Sequence, residues 1–160
     1  MAEEPKKKVS IIVFSEDMDK LFAAFILATS SAAAGFDVTM FFTFWGLRAL
    51  KTGAITGNSF FGRLLGIIYG GGINKANPSK YGFGGMGRWM LNKMMRSKNV
   101  ASLTELRQLA IDLGVKMYGC QMSMDVMEIP REKMIPEAQD PVGAGFFVEQ
   151  AKDSAFTLFI

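Results

Sequence analysis

VSIIVFSEDMDKLFAAFILATSSAAAGFDVTMFFTF, residues 9–44, reads as a β-α-β unit. Residues 9–14 form an unbroken β-branched and apolar run, the pattern of a parallel strand covered on both faces. Ser15 or Asp17 can cap the helix that follows, and Leu21, Phe25, Ala28 and Ala32 then recur every three or four residues. Gly35 suits the left-handed exit, so the helix is predicted over about 18–34. Residues 36–44 are rich in β-formers and follow by a tight turn, which makes the two strands parallel and their crossover right-handed.

Outward from this unit, Trp45-Gly46 leads into a short helical turn at 47–51. A long glycine-rich stretch comes next, about 53–87, with Gly70-Gly71-Gly72, Asn77-Pro78 and Gly84-Gly85. An irregular segment of that length within a compact domain is usually functional or mobile, and it is expected here as a loop insertion acting as a flap near Cys120. Residues 86–96 look helical and basic, with Met86, Met90 and Met94 on one stripe and Arg88, Asn92 and Arg96 on another. Ser102 and Glu105 have capping-box spacing, Leu103, Leu106, Leu109 and Leu113 keep helical period, and Gly114 closes the segment.

A strand at 115–119 then delivers Cys120 to its carboxyl end, and a short helix over about 122–127 follows. Pro130 and Pro136 mark loops. A last helix at about 143–152 precedes a strand at 155–160. The predicted class is α/β: a single domain over 1–160 with a mostly parallel sheet of four or five strands and helices on both faces.

Composition narrows the chemistry. The 160 residues suit one domain, and 49% apolar with 21% charged residues excludes disorder. Histidine is absent, so histidine-based acid/base, nucleophile-activating and zinc chemistries are excluded. One cysteine forbids an intrachain disulfide, a CxxC pair and a four-cysteine zinc site. No resident cofactor is implied. The net charge of +3 is mild and lacks the aromatic interleaving of a nucleic-acid surface.

The apolar start of the chain is too short for a signal peptide. The stretch 21–36 is interrupted by Thr29, Ser30 and Ser31 and falls short of a membrane span, so it is a core helix. A free thiol among twelve methionines suits a reducing, cytoplasmic setting.

Functional sites of open α/β sheets gather at the carboxyl ends of strands, where Cys120 is expected. The amides of a following helix favour a thiolate, although Asp125, one turn on, opposes it. The plain alternative is a small buried hydrophobe. Met122, Met124 and Met127 add soft thioethers, which with a thiolate make a Cu(I)-selecting set; adaptable core packing is the competing role. A phosphate cradle is disfavoured because no GxxxxGK[ST] occurs.

Tyr118-Gly119-Cys120-Gln121-Met122-Ser123-Met124-Asp125-Val126-Met127 resembles the signature region of the DsrE/DsrF-like sulfur-relay family, specifically its single-cysteine DsrE3-like members. The first strand with its acidic cap, the alanine-rich helix, Phe41 to Trp45, the Met-rich basic helix and the terminal Thr157-Leu158-Phe159-Ile160 extend the likeness over most of the chain. Glu128 stands where many members have glycine. The resemblance implies that Cys120 accepts sulfane sulfur from a rhodanese-like donor as a persulfide or thiosulfonate. It also implies a TusA-like acceptor protein and a homo-oligomer, for which Phe60, Phe61 and Trp89 are candidate contacts. A copper protein and a non-catalytic oligomeric binding module are the alternatives.

Overall fold

The computed structural model describes residues 7–160; Lys6 and the acidic segment before it lie outside the described residues. The β-α-β unit is present as β1 (Lys8–Val13), α1 (Met18–Ala33) and β2 (Asp37–Phe42), with β1 and β2 parallel and in register from Lys8 opposite Asp37 to Val13 opposite Phe42. The chain then leaves the sheet at its carboxyl end. It passes through a 3-10 turn at Phe44–Ala49, α2 (Phe60–Ile68) and α3 (Met86–Ser97) before α4 (Leu103–Asp112) brings it back.

β3 (Lys116–Cys120) pairs beside β2, α5 (Gln121–Val126) follows, and β4 (Gln139–Val142) forms one edge. α6 (Ala144–Lys152) crosses to the far side, where β5 (Ser154–Phe159) pairs with β1. The five strands lie in the order β4-β3-β2-β1-β5, and every pairing is parallel.

The two faces of this sheet are unequally covered. α1 and α4 pack side by side on one face and bury Leu21, Phe25 and Ala28 with Val9, Ile11, Val13, Met40 and Met117 in the main core. At roughly 1.5–3 kcal/mol per fully buried large apolar side chain, this layer supplies most of the driving force for folding. The opposite face carries α6, whose single buried side chain, Phe147, joins Phe41 and Cys120 in a small separate cluster. Helices do lie on both faces, as expected from the alternation of elements, but the second layer is one short helix.

Two elements depart from the sequence reading. Residues 53–87 are not a continuous loop, because α2 occupies Phe60–Ile68 and 3-10 turns occupy Ile73–Lys75 and Phe83–Gly85. Glycine lowers helix propensity, and Gly62 and Gly66 disguise α2 in the sequence. They sit four residues apart on its buried side, where a Cβ at Gly66 would overlap the carbonyl of Thr56. The expected loop after Pro136 contains β4, whose Pro141 is tolerated because the strand is an edge.

Candidate functional site

Cys120 ends β3 and is the N-cap residue of α5, with φ −72° and ψ 115°. The sequence placed it at a strand's carboxyl end before a helix, and it is there. Its side chain is 3% exposed. β3 alternates, so Met117 and Gly119 face the main core while Tyr118 and Cys120 face α6. Tyr118 meets Phe146 in a tilted pair at 4.7 Å, and Phe41 meets Phe147 at 5.5 Å between ring centroids. What covers the sulfur is therefore α6, through Phe147, and not the glycine-rich segment that was expected as its flap.

The strand-to-helix turn separates the residues that adjoin in sequence. Met124 and Met127 turn into the main core, Met122 is 54% exposed, and Cys120 belongs to the cluster on the other side of the sheet. The soft-ligand set for Cu(I) is not assembled, and the methionines pack. Among the described residues no three Cys, Asp or Glu side chains converge on a metal position. Gly119 is needed for this packing because a Cβ there would press to 2.8 Å from Met124 Sδ. The Ser123 and Thr43 hydroxyls share a hydrogen bond of 2.8 Å, which fastens α5 to the end of β2. Asp125 is exposed and accepts from Gln121 Nε2 at 2.8 Å.

Glu128, just past α5, has φ +48°, the left-handed region that glycine enters freely. Its carboxylate accepts from the amides of Asn58 and Ser59 and from the Ser59 hydroxyl, so it reaches across to the N-terminus of α2. These hydrogen bonds, the Ser59 hydroxyl first, hold the Glu128 carboxyl below the ordinary glutamate value. A depressed carboxyl stabilises the folded form above its ordinary value of 4.5 and loses that contribution as pH falls through the lowered one. Glu128→Gly is expected to release the start of α2: amide exchange at residues 58–69 should accelerate while that of β1 stays slow. Unchanged exchange at 58–69 would show that the carboxylate holds nothing.

The other end of α2 is held by cations. Arg48 Nη1 donates to Gly70 O at 2.9 Å and its Nε to Glu16, while Lys51 Nζ donates to Tyr69 O at 2.9 Å. Tyr69 O–H donates to Trp45 O, and both cations lie over the Tyr69 ring, at 4.6 and 4.5 Å from its centroid. Anion at the N-terminus and cations at the C-terminus complement the dipole of α2 at both ends. Burial pushes the Tyr69 phenol up, with Glu16 adding to the shift.

Lys51 is the unexpected member of this group: a lysine 1% exposed, which burial, then the Arg48 charge, lowers from 10.5 to about 8. Below about pH 8 both folded and unfolded forms are protonated and the folded form carries the full burial cost. From there to 10.5 the unfolded form holds the extra proton, so stability should rise with pH relative to Lys51→Met, by at most roughly 3 kcal/mol. Parallel urea titrations of the two proteins across that window measure it; parallel curves would refute it. Sequence reasoning passed over Arg48 and Lys51, and marked Glu128 only as a departure from glycine, not as the residue that holds α2. The available signal was two cations within an apolar turn at the carboxyl end of a strand.

The comparisons with known proteins agree with this fold. The model of the DsrE/DsrF/DrsH-like family matches residues 5–159. The sulfur carrier protein DsrE2 of Allochromatium vinosum is 36% identical over 159 residues, covering 97% of this chain and 99% of that protein. The uncharacterized protein YrkE of Bacillus subtilis is 33% identical over 159 residues, covering 98% and 99%. Two solved structures share the fold at 10% identity: the ychN protein of E. coli, with a TM-score of 0.56, and MTH1491 of Methanobacterium thermoautotrophicum, with 0.55. Each covers 96% of this chain and 99% of its own. No described helix is long and apolar enough to cross a membrane. With a family model spanning nearly all of it and full-length relatives above 30% identity, the chain belongs to the DsrE/DsrF/DrsH-like family and is a relative of its sulfur carriers.

Proposed function

We propose that this protein carries sulfane sulfur on Cys120 as a persulfide, within a cytoplasmic relay. The observation that carries the reading is the position of its single thiol, at the carboxyl end of β3 beside the start of α5, in a chain 36% identical to a named sulfur carrier. The Cys120 thiolate attacks the outer sulfur of a rhodanese-like donor persulfide; the donor's S–S bond breaks and the donor leaves as a thiolate. A TusA-like acceptor thiolate then attacks the outer sulfur on Cys120, which departs as a thiolate in turn. One sulfur atom moves in each step and no external oxidant or reductant is consumed.

Intact-protein mass spectrometry after incubation with polysulfide or a loaded rhodanese tests this. The wild type should gain one sulfur atom that a reductant removes, and Cys120→Ser should gain none. A wild type that stays unloaded, or loading that persists in Cys120→Ser, would overturn it.

The carrier is further proposed to be a homo-oligomer that uses the thinly covered face, where Val148 of α6 and Phe159 of β5 are exposed. Light scattering at micromolar concentration should give a multiple of 17.6 kDa. A monomer mass would refute it.

A further inference from the structure

The excursion between β2 and α4 has an unusual charge and exposure pattern. From Val38 to Thr104 the chain contains nine of its 18 lysines and arginines and not one aspartate or glutamate. The excursion leaves from the carboxyl end of β2 and returns at the start of α4, which runs back against the strands to β3, so it lies entirely on the carboxyl side of the sheet. Contacts bear this out at the start of α1, where Met18 N donates to Asn77 O at 2.8 Å and Ser79 N donates to Asp19 Oδ1 at 2.8 Å.

α2 is turned inside out relative to an ordinary surface helix. Its glycines face inward, and Phe60, Phe61, Leu64, Ile67 and Ile68 face solvent, with Phe60, Phe61 and Ile68 at 79%, 78% and 73% exposure. At about 100° per residue these five side chains span about 120°, centred opposite Gly62 and Gly66. The helix does not protrude because it is loose. Glu128 holds one end, Arg48 and Lys51 hold the other, and the thrust of its apolar side into solvent is imposed by that clamp. Elsewhere in the same excursion Tyr81, Phe83, Trp89 and Met90 are also exposed, and Lys93 Nζ lies 5.2 Å above the Trp89 ring.

We infer that this carboxyl-side face docks onto an anionic lipid surface, with α2 lying in the interface. The inference goes beyond sulfur carriage and does not depend on it. Apolar and aromatic side chains on a fixed helix that also carries Arg63, in an excursion with further exposed cations such as Lys80 and Lys93, have the make-up of an interfacial anchor: the rings enter the headgroup boundary and the cations meet lipid phosphates. At nine residues α2 lies on a bilayer and does not cross it. Charge decides between occupants. The excursion brings nine cations and no acid of its own, and acids reach it only from neighbouring elements, such as Glu128 against Ser59, Glu16 against Arg48 and Asp19 against Ser79. A second copy docked by two-fold symmetry would set this cation-rich segment against itself, whereas an anionic bilayer complements it.

The test is flotation of the full-length protein with vesicles of phosphatidylcholine alone or mixed with phosphatidylglycerol, at low and high salt. The wild type should float with the phosphatidylglycerol vesicles at low salt and stay down with phosphatidylcholine alone, with its tryptophan emission shifting to the blue. The triple variant Phe60→Ser, Phe61→Ser, Ile68→Ser should bind at least about tenfold less, and Lys80→Glu with Lys93→Glu should also weaken flotation. These side chains are exposed, so circular dichroism and sulfur loading of Cys120 should not change; loading thus reports on the carrier role separately. A wild type that stays down with both vesicles would overturn the inference, as would a triple variant that floats equally well. So would a lipid-indifferent wild type whose oligomer, or whose complex with an acidic protein, falls apart in the triple variant.

Discussion

Phe147→Ala is expected to raise the rate at which Cys120 reacts with iodoacetamide by about a hundredfold. Cys120 is 3% exposed and shares its cluster with Phe41 and Phe147. A reagent reaches it when α6 lifts. Phe147 is the one buried side chain of α6, so its ring accounts for most of what holds the helix down. Truncating a buried phenylalanine to alanine costs about 3–5 kcal/mol, and each 1.4 kcal/mol taken from an opening equilibrium is a tenfold rise in the open population. Even with partial relaxation, two decades follow. Global stability falls less than in a main-core truncation, because the layer of α1 and α4 is untouched. Alkylation no faster than in the wild type would show that the sulfur is reached by another route. The same variant should load sulfur faster from polysulfide, which ties burial of the thiol to the rate of the proposed transfer.

Gly46→Ala should leave little folded protein, with a loss of about 3 kcal/mol or more in whatever remains. Gly46 lies in the 3-10 turn after β2, and its amide donates to Phe14 O at 2.8 Å, at the end of β1. A Cβ at this position would overlap the carbonyl of Val13, and the nearest atoms are all backbone of β1 and the residue after it. Val13 O already accepts from Thr43 N at 3.0 Å, so the backbone cannot retreat without breaking the junction of the first two strands. The same turn carries Arg48 and Lys51 follows it by two residues, so displacing it would also release the C-terminus of α2. Near-normal yield with a thermal midpoint close to wild type would refute this reading of the turn. Gly114→Ala provides a contrast, since its Cβ would meet nothing and only its φ of +76° opposes the change.

The parts of the fold legible in the sequence are those where one residue pattern dominates. Residues 9–14 and 36–44 are apolar enough to be strands in any context, and the Ser102–Glu105 box forms as its spacing predicts, with Ser102 N donating to Glu105 Oε2 at 2.6 Å. β3 placed Cys120 correctly for the same reason. α2 was hidden because glycine at 62 and 66 argues against a helix locally, while the cap that starts it, Ser59 Oγ accepting from Gly62 N at 2.9 Å, is too common a residue to decide alone. β4 was hidden because Gln139–Val142 is short, polar and contains proline, all permitted only by its place at the edge. At the site, spacing put three methionines beside Cys120, yet proximity in sequence said nothing of which side of the sheet each would face. Glu128 and Lys51 act across distances of about 70 and 18 residues, on Ser59 and Tyr69, and no local pattern encodes such partners.

The pairing of β1 with β5 has a consequence for biosynthesis. Ser10 and Ser154, joined by a hydrogen bond of 2.8 Å, are separated by 144 residues, and α6 is made immediately before β5. Synthesis proceeds from the N-terminus, so β1 to β4 and the layer of α1 and α4 can assemble while α6 and β5 are still within the ribosome. Through that interval the nascent chain shows an open strand edge along β1 and a bare thiol at Cys120. Oxidants and chaperones thus meet a more vulnerable molecule during translation than after release, and the finished protein gains its covered sulfur only with α6, just ahead of the closing strand.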